Sequence, residues 1–373
     1  MKIPSNVIAF ASGDEKNLMV YKMFVDYWNH YQSDIDGKNR DYETILPNGK
    51  QITFSEKEEG MSAAMKREIV RISGMNSFAS LPTEQWVTNP LVSWATFAVV
   101  SALIDMVLPQ TLIDTIGIYT DVRTIGWGDS AAFDVKPRDL FVVSKAGRAQ
   151  RTTEVRKQFR GQVTIVPEMR EITVQVSLYK VLSGAESLAE FVMKMIRSIE
   201  TQITVDAYTA FNTAMEAVPS TATTGLQVAG YTQADLTSLC QRVSAWNGGQ
   251  KAVILGTQLA LVNILPNDAN YRYDVQSDFV RIGYIRTAFG YDIMELPQVA
   301  DRTTPWGTVL SDNNIYILSP GAQKIVKLVL EGATLSNTTG TFEQANLTQN
   351  ATIWKSWGTG IATNASAGIV TLS

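Results

Sequence analysis

One cysteine, Cys240, and one histidine, His30, are all that 373 residues offer of the two most versatile metal-binding and nucleophilic side chains. A single cysteine excludes an intrachain disulfide, and one of each excludes a zinc site built from His and Cys. A Ser-His-Asp or Cys-His catalytic group would have to use His30, which sits among Tyr21, Phe24, Tyr27, Trp28 and Tyr31 in a segment with helical character. Cys240, in Thr-Ser-Leu-Cys, reads as a small buried hydrophobe. No glycine-rich loop of the phosphate- or dinucleotide-cradling type occurs. Asp34, Asp36 and Gly37 fail as a calcium loop, because Lys38 takes the third acidic place and no glycine stands at the sixth. Neither a cofactor nor a metal is expected, and catalysis finds no positive support. An oligomeric enzyme with an extended dimerisation arm stays open as an alternative, needing a carboxylate pair that nothing here singles out.

Strong charge of either sign is also missing. The net charge is −4, which gives no footprint for a dedicated nucleic-acid binder. The hydrophobic fraction of 45% and charged fraction of 18% are those of a globular chain, which excludes wholesale disorder. The N-terminus has Lys2 but no continuous apolar core and no cleavage pattern, so no signal peptide is expected. Without one, the triplets at Asn337, Asn346, Asn350 and Asn364 are composition rather than glycan acceptors. Leu91 to Leu108 is the one long apolar run. It is bounded by Pro90 and Pro109 and carries Asp105, which would be costly in lipid, so a buried helix is expected and no membrane.

What is present centres on residues 145–219. Between Gly184 and Pro219 there is neither glycine nor proline. Leu188, Val192, Met195, Ile199 and Ile203 recur at spacings of three and four, and Ala207, Ala210, Phe211, Ala214 and Met215 continue the stripe. This predicts a helix from Ala185 to about Val218, a rod of about 50 Å. Ser183 and Glu186 have capping-box spacing, and Pro219 stops the helix. Glu186, Glu190, Lys194, Arg197 and Glu200 form the expected solvated face.

Ahead of it, the alternation of Ile172, Val174, Val176 and Leu178 with Thr173, Gln175 and Ser177 predicts a strand from Gln162 to Leu182, with Asp139 to Val143 as its partner. Between them lie Lys145, Arg148, Arg151, Arg156, Lys157 and Arg160 against one acid, Glu154. So long a basic hairpin tip is unusual in a compact domain. Six cations repel one another unless something acidic lies opposite, which points to a docking arm that meets another subunit. A solvated loop is the bland alternative. Nucleic-acid binding is weakened because Phe159 alone could stack on a base.

In chain order, Met19 to Tyr31 reads as a helix, Pro47-Asn48-Gly49 as a tight turn, and Ser55 with Glu58 as the cap of a helix to about Ser73. Little in residues 1–80 announces an independent core, and the segment reads as an arm laid over something else. Leu112 to Thr124 has strand character, and Trp127-Gly128-Asp129 is a turn. Residues 220–325 alternate short strands and helices as a separable α/β block: a helix at Ala234–Trp246, strands at Lys251–Leu255, Tyr291–Leu296 and Asn314–Leu318. Strand character at Ile325 to Leu330, a Thr/Asn/Ser-rich tail and a final apolar strand close the chain.

This order of parts resembles the major capsid protein of tailed bacteriophages, with the Hong Kong 97 type fold. The likeness spans nearly the whole chain and includes Gly128-Asp129-Ser130-Ala131-Ala132-Phe133 before the hairpin and Gly184-Ala185-Glu186 opening the helix. It implies an α+β fold with an N-terminal arm (1–80), the first part of a peripheral domain (81–131), an extended E-loop hairpin (132–180), a long spine helix (181–219), an α/β axial domain (220–325) and a C-terminal β segment of the peripheral domain (326–373). It implies a structural, non-enzymatic protein that self-assembles as hexamers and pentamers into an icosahedral shell around the double-stranded DNA genome of a phage. The six cations would then be inter-subunit contacts at the E-loop tip. The location would be the virion, after assembly in the host cytoplasm. The implied partners are other copies of the chain, a portal and a decoration protein, with DNA contacted non-specifically at most. Because Met1 is present with no long scaffolding segment ahead of the arm, a separate scaffolding protein is expected. Some members cross-link an E-loop lysine to an asparagine of the next subunit; Lys145 and Lys157 lie in the right arm, but no acceptor matches and no cross-link is expected. An encapsulin-like nanocompartment shell of the same fold is the nearest alternative.

Overall fold

The computed structural model describes residues 15–35, 44–45, 51–74, 89–117, 119–135, 161–176, 180, 186–219, 225–264, 281–301, 303–320, 323–338, 349–363 and 365–372. The chain begins with helix α1 (Glu15–Ile35), a two-stranded pairing of β1 (Thr44–Ile45) with β2 (Gln51–Ile52), helix α2 (Phe54–Ser73) and helix α3 (Pro90–Ile116). The capping box of α2 is Thr53 with Glu56, each side chain bonding the other's backbone N–H at 3.3 and 3.1 Å. It lies two residues before the expected Ser55 and Glu58. Phe54 is drawn into the first turn because its ring stacks on Tyr27 at 5.1 Å and meets the edge of His30 at 5.3 Å. Gly74 closes the helix at φ 71°, a conformation that other residues resist.

Helix α3 starts at Pro90 under an Asn89 cap, as the apolar run predicts, but it does not end at Pro109. It continues to Ile116, so strand structure begins only at Thr120 and not at Leu112. Leu108, Leu112 and Ile116 follow one another at helical spacing and are fully buried. Their burial, at about 2 kcal/mol each, outweighs the roughly 3 kcal/mol that an internal proline costs a helix. Pro90–Pro109 is long and apolar enough to cross a bilayer, yet 72% of that window is buried inside the protein.

Strands β3 (Thr120–Ile125), β4 (Ala131–Val135), β5 (Gly161–Ile165) and β6 (Glu168–Val176) precede helix α4 (Leu188–Glu216). The single strand expected over Gln162 to Leu182 is therefore two, broken at Val166-Pro167, where proline can donate no ladder bond. β5 pairs with β4. β6 pairs with β15, introduced below; the expected partner Asp139 to Val143 lies outside the described residues. The Ser-x-x-Glu cap of α4 is Ser187 with Glu190, whose N–H reaches the serine hydroxyl at 3.3 Å; the expected Ser183 lies outside the described residues. The predicted stripe is buried from Leu188 to Met215, with Ala210 and Ala214 half-buried against the core. Glu200 departs from the solvated face to which it was assigned. It lies between Ile199 and Ile203 on the packed side, is 8% exposed, and burial pushes its carboxyl up to about 7, with Arg197 opposing.

The rest comprises β7 (Gln227–Ala229), α5 (Gln233–Trp246), β8 (Val253–Gly256), the short α6 (Gln258–Leu261), β9 (Thr287–Ala288), β10 (Tyr291–Glu295), β11 (Ala300–Asp301), β12 (Gly307–Thr308), β13 (Asn314–Leu318), β14 (Val326–Thr338), β15 (Gln349–Ile361) and β16 (Gly368–Thr371). Two sheets organise the molecule. One has the order β3-β14-β15-β6 and lies against α3 and α4. The other has the order β7-β16-β13-β8-β10-β9. The final apolar strand, β16, therefore belongs between β7 and β13 and not to the C-terminal segment in which residues 326–373 were grouped. Its Ile369 and Val370 find apolar surface on both sides of that sheet.

The six-stranded sheet is covered on both faces. Val253, Leu255, Tyr316 and Leu318 face the main core, while Ile254, Ile315, Ile317 and Val370 pack against Leu236, Leu239, Cys240 and Val243 of α5. This explains a Val-Ile-Leu strand without polar alternation. The region 220–325 has its own core on the α5 face and also joins the main core on the other. Tyr119 stacks on Tyr208 at 5.8 Å and meets Phe211 at 5.0 Å, and Phe211 meets Tyr316 at 4.9 Å, so one aromatic ladder runs through the junction. The N-terminal helices join the same core through Phe24, Tyr27, Trp28, Met61, Met65 and Ile69. What the described part of residues 1–80 is laid over is its own chain.

Candidate assembly surfaces

The six cations expected at the arm tip, Lys145, Arg148, Arg151, Arg156, Lys157 and Arg160, lie outside the described residues. The root of the arm is described. β4 and β5 pair antiparallel from Ala131↔Ile165 to Val135↔Gly161, leaving 136–160 as the connection. Phe133 is the anchor. It is 1% exposed and packs with Ala131, Ile165, Val329 and Ala362 in a small core separate from the two larger ones. The guanidinium of Arg123 sits 4.2 Å from its ring centroid and the ammonium of Lys327 sits 5.6 Å from it. Lys327 is buried and pairs with Asp121 at 3.3 Å; burial lowers its ammonium pKa and Asp121 opposes that effect. Gln323 donates to the Asp134 carbonyl at 2.8 Å.

Glycines let the root cross the sheet closely. A Cβ on Gly358 would lie 2.8 Å from the Val166 carbonyl oxygen and 3.2 Å from Pro167 Cα, and one on Gly360 would lie 2.8 Å from Ile165 Cδ1. The turn before the arm is docked as well. Gly128 N–H donates to Glu331 at 2.8 Å, beside the bulge of β14 between Glu331 and Leu335. Beyond β5, Arg170 bridges β6 to α4: it lies 3.5 Å from Asp206, which also accepts from the Trp357 indole N–H at 2.9 Å and from the Gln202 amide at 3.1 Å. The base of the β4–β5 hairpin is thus fixed to the body of the molecule.

A cleft of about 750 Å³ opens between α3 and β14, lined in part by Ala98, Ala102, Met106, Pro109 and Leu335. At its floor Asp105 accepts from Lys355 Nζ at 2.6 Å, Thr334 N at 2.8 Å and Thr334 Oγ1 at 2.5 Å. In the sequence Asp105 stands out only as a cost in lipid. Its partner stands 250 residues away and left no local signal. His30 is 2% exposed against Phe54, and burial pushes the Cys240 thiol up to about 12. Both sit as core side chains. Among the described residues no three of His, Cys, Asp and Glu gather as a metal-ligand set.

Comparison with known proteins agrees with this architecture. The family model described as "SPbeta prophage-derived putative capsid protein YonB" matches residues 49–371. No curated protein matches the chain. Similar solved structures include the capsid of a native GTA particle, at 12% identity and a TM-score of 0.50, covering 69% of this chain and 90% of that one. The mature capsid of bacteriophage PhiM1 is similar at 10% identity and a TM-score of 0.47, covering 68% and 86%. The capsid of cyanophage P-SCSP1u is similar at 14% identity and a TM-score of 0.45, covering 69% and 86%. The first of these shows a shared fold and nothing finer. The family match is what assigns the role: the chain belongs to the YonB capsid protein family and is a structural major capsid protein of tailed-phage type, with the Hong Kong 97-like α+β fold.

Proposed function

We propose that this chain assembles as hexamers and pentamers into a closed icosahedral shell around double-stranded DNA, and that its arm is the main strap between neighbours. The observation that carries this is the arm root. A hairpin whose base is locked by Phe133, Arg123, Lys327 and the close approach to Gly358 holds a direction, and a fixed direction is what a strap reaching to the next subunit needs. Residues 132–180 would be the E-loop and α4 the spine of the peripheral domain. The six-stranded sheet with α5, taking in β16 from the C-terminus, would form the axial domain around the symmetry axes. Lys145, Arg148, Arg151, Arg156, Lys157 and Arg160 would meet acidic surface on the next copy, a heterologous contact that closes into rings. A portal, a separate scaffolding protein and a decoration protein would be the further partners, with assembly in the host cytoplasm, non-specific DNA contact at most and no enzymatic role.

The test is Arg151→Glu with Arg156→Glu, compared with the parent chain by electron microscopy and solution mass, with scaffold co-expressed. The parent is expected to form shells. The double variant is expected to stay as free subunits or open rings while melting at the parent's temperature. Shells of unchanged yield and stability from the double variant would refute the docking role of the arm.

A further inference from the structure

Two non-glycine residues among those described take a positive φ, Phe289 at 53° and Trp306 at 61°. Phe289 stands in the tight turn between β9 and β10, and its ring packs against the second core. Trp306 has no such compensation, for its side chain is fully exposed. It occupies the turn Thr304-Pro305-Trp306-Gly307 between β11 and β12, closed by Gly307 N–H on the Thr304 carbonyl at 3.1 Å. Proline in the second place and positive φ in the third is the pattern of a type II turn, whose third position favours glycine or asparagine. The largest side chain therefore stands where the backbone asks for one of the smallest, and it stands in water.

The turn is also stiff. Asp301 Oδ1 accepts from Thr303 N at 2.8 Å and Thr303 Oγ1 at 2.6 Å, and its Oδ2 accepts from Thr304 Oγ1 at 3.0 Å. A side chain at Gly307 would meet Thr304 Cβ at 2.9 Å, so the turn has little room to rearrange. Its foot is tied to α4 and to the segment leading into β13. Val309 N–H donates to Val299 O at 3.1 Å, and Asn212 of α4 donates to Val309 O at 3.3 Å. The Gln298 amide bonds both the N–H and the carbonyl of Leu310, at 3.2 and 2.8 Å. Backbone strain of this kind clusters at functional sites, and Trp is among the residues that most often anchor contacts between chains.

We propose that the Trp306 hairpin is an assembly knob that docks on a second copy of this chain. This rests on the shell reading above, in which the surface met at subunit density is another copy. A rigid aromatic with two side-chain torsions anchors such a contact at low entropic cost. A single protruding knob also makes a heterologous contact, which repeats around a ring.

The experiment compares the parent with Trp306→Ala, Trp306→Asn and Trp306→Phe. Trp306→Ala should melt at the parent's temperature, and Trp306→Asn should melt higher because asparagine relieves the positive φ. Both should need at least tenfold more protein to form shells, and Trp306→Phe should recover part of the loss. A photo-activatable benzoylphenylalanine at position 306 should give adducts between two copies in assembled shells. Assembly of Trp306→Ala at the parent's threshold would overturn the proposal, as would adducts confined to one chain or to a different polypeptide. A parent chain that forms no shells with any scaffold would sink the shell reading and the knob with it, so the parent control separates the two failures.

Discussion

Glu200→Gln probes whether the spine helix carries a buried proton. The folded chain holds the Glu200 carboxyl at about 7, against an ordinary value of 4.5, because burial disfavours the charge. Between those two values the folded state binds a proton that the unfolded state has released. Stability therefore falls as pH rises through this window and levels off above it. The full difference is worth about 3 kcal/mol at about 1.4 kcal/mol per tenfold change in proton affinity. Glutamine keeps the shape and is neutral throughout, so the titration disappears. Urea unfolding of the unassembled subunit at fixed ionic strength measures the stability of variant and parent at each pH. Other groups titrate equally in both and cancel in the difference. From pH 5.5 to pH 8 the variant is expected to gain about 2 kcal/mol relative to the parent. A difference that stays flat with pH, or that moves the other way, would refute the assignment of a raised carboxyl at this position.

Two further perturbations address the body of the molecule. Gly358→Ala places a methyl group against the Val166 carbonyl and Pro167 backbone, which cannot give way like a side chain tip. It is expected to cost about 1–3 kcal/mol and to speed proteolysis within the arm, read by thermal melting and timed digestion; an unchanged melt and cleavage pattern would count against the locked root. Lys355→Met leaves the Asp105 carboxylate at the cleft floor without its cation. A loss of about 3 kcal/mol is expected, with part of it recovered by adding Asp105→Asn, and a double-mutant cycle by urea unfolding gives the coupling.

The family-level reading was legible because the signals that carry it are local. The uninterrupted stripe from Leu188 to Met215, the apolar run after Pro90 and the alternation at Ile172 to Val176 are periodicities of a few residues, and each element exists where its pattern lies. Cap spacing was also local, but which of two overlapping Ser/Thr-x-x-Glu patterns is used, Thr53 or Ser55, was settled by where Phe54 finds its aromatic partners. Pro109 is likewise carried inside a helix because distant strands and helices bury Leu108, Leu112 and Ile116.

Other features belong to the tertiary structure alone. The return of β16 into a sheet begun at β7, the pairing of Asp105 with Lys355 and the burial of Glu200 depend on groups brought together across long stretches of chain. Trp306 gave no sign beyond a Pro-Trp-Gly turn, because composition does not say whether an aromatic faces the core or water. Sequence periodicity determines which elements form and which face of each is apolar, since both follow from backbone geometry within a few residues. Which buried charge finds a partner, and which aromatic is left without one, is decided only when those faces close on one another.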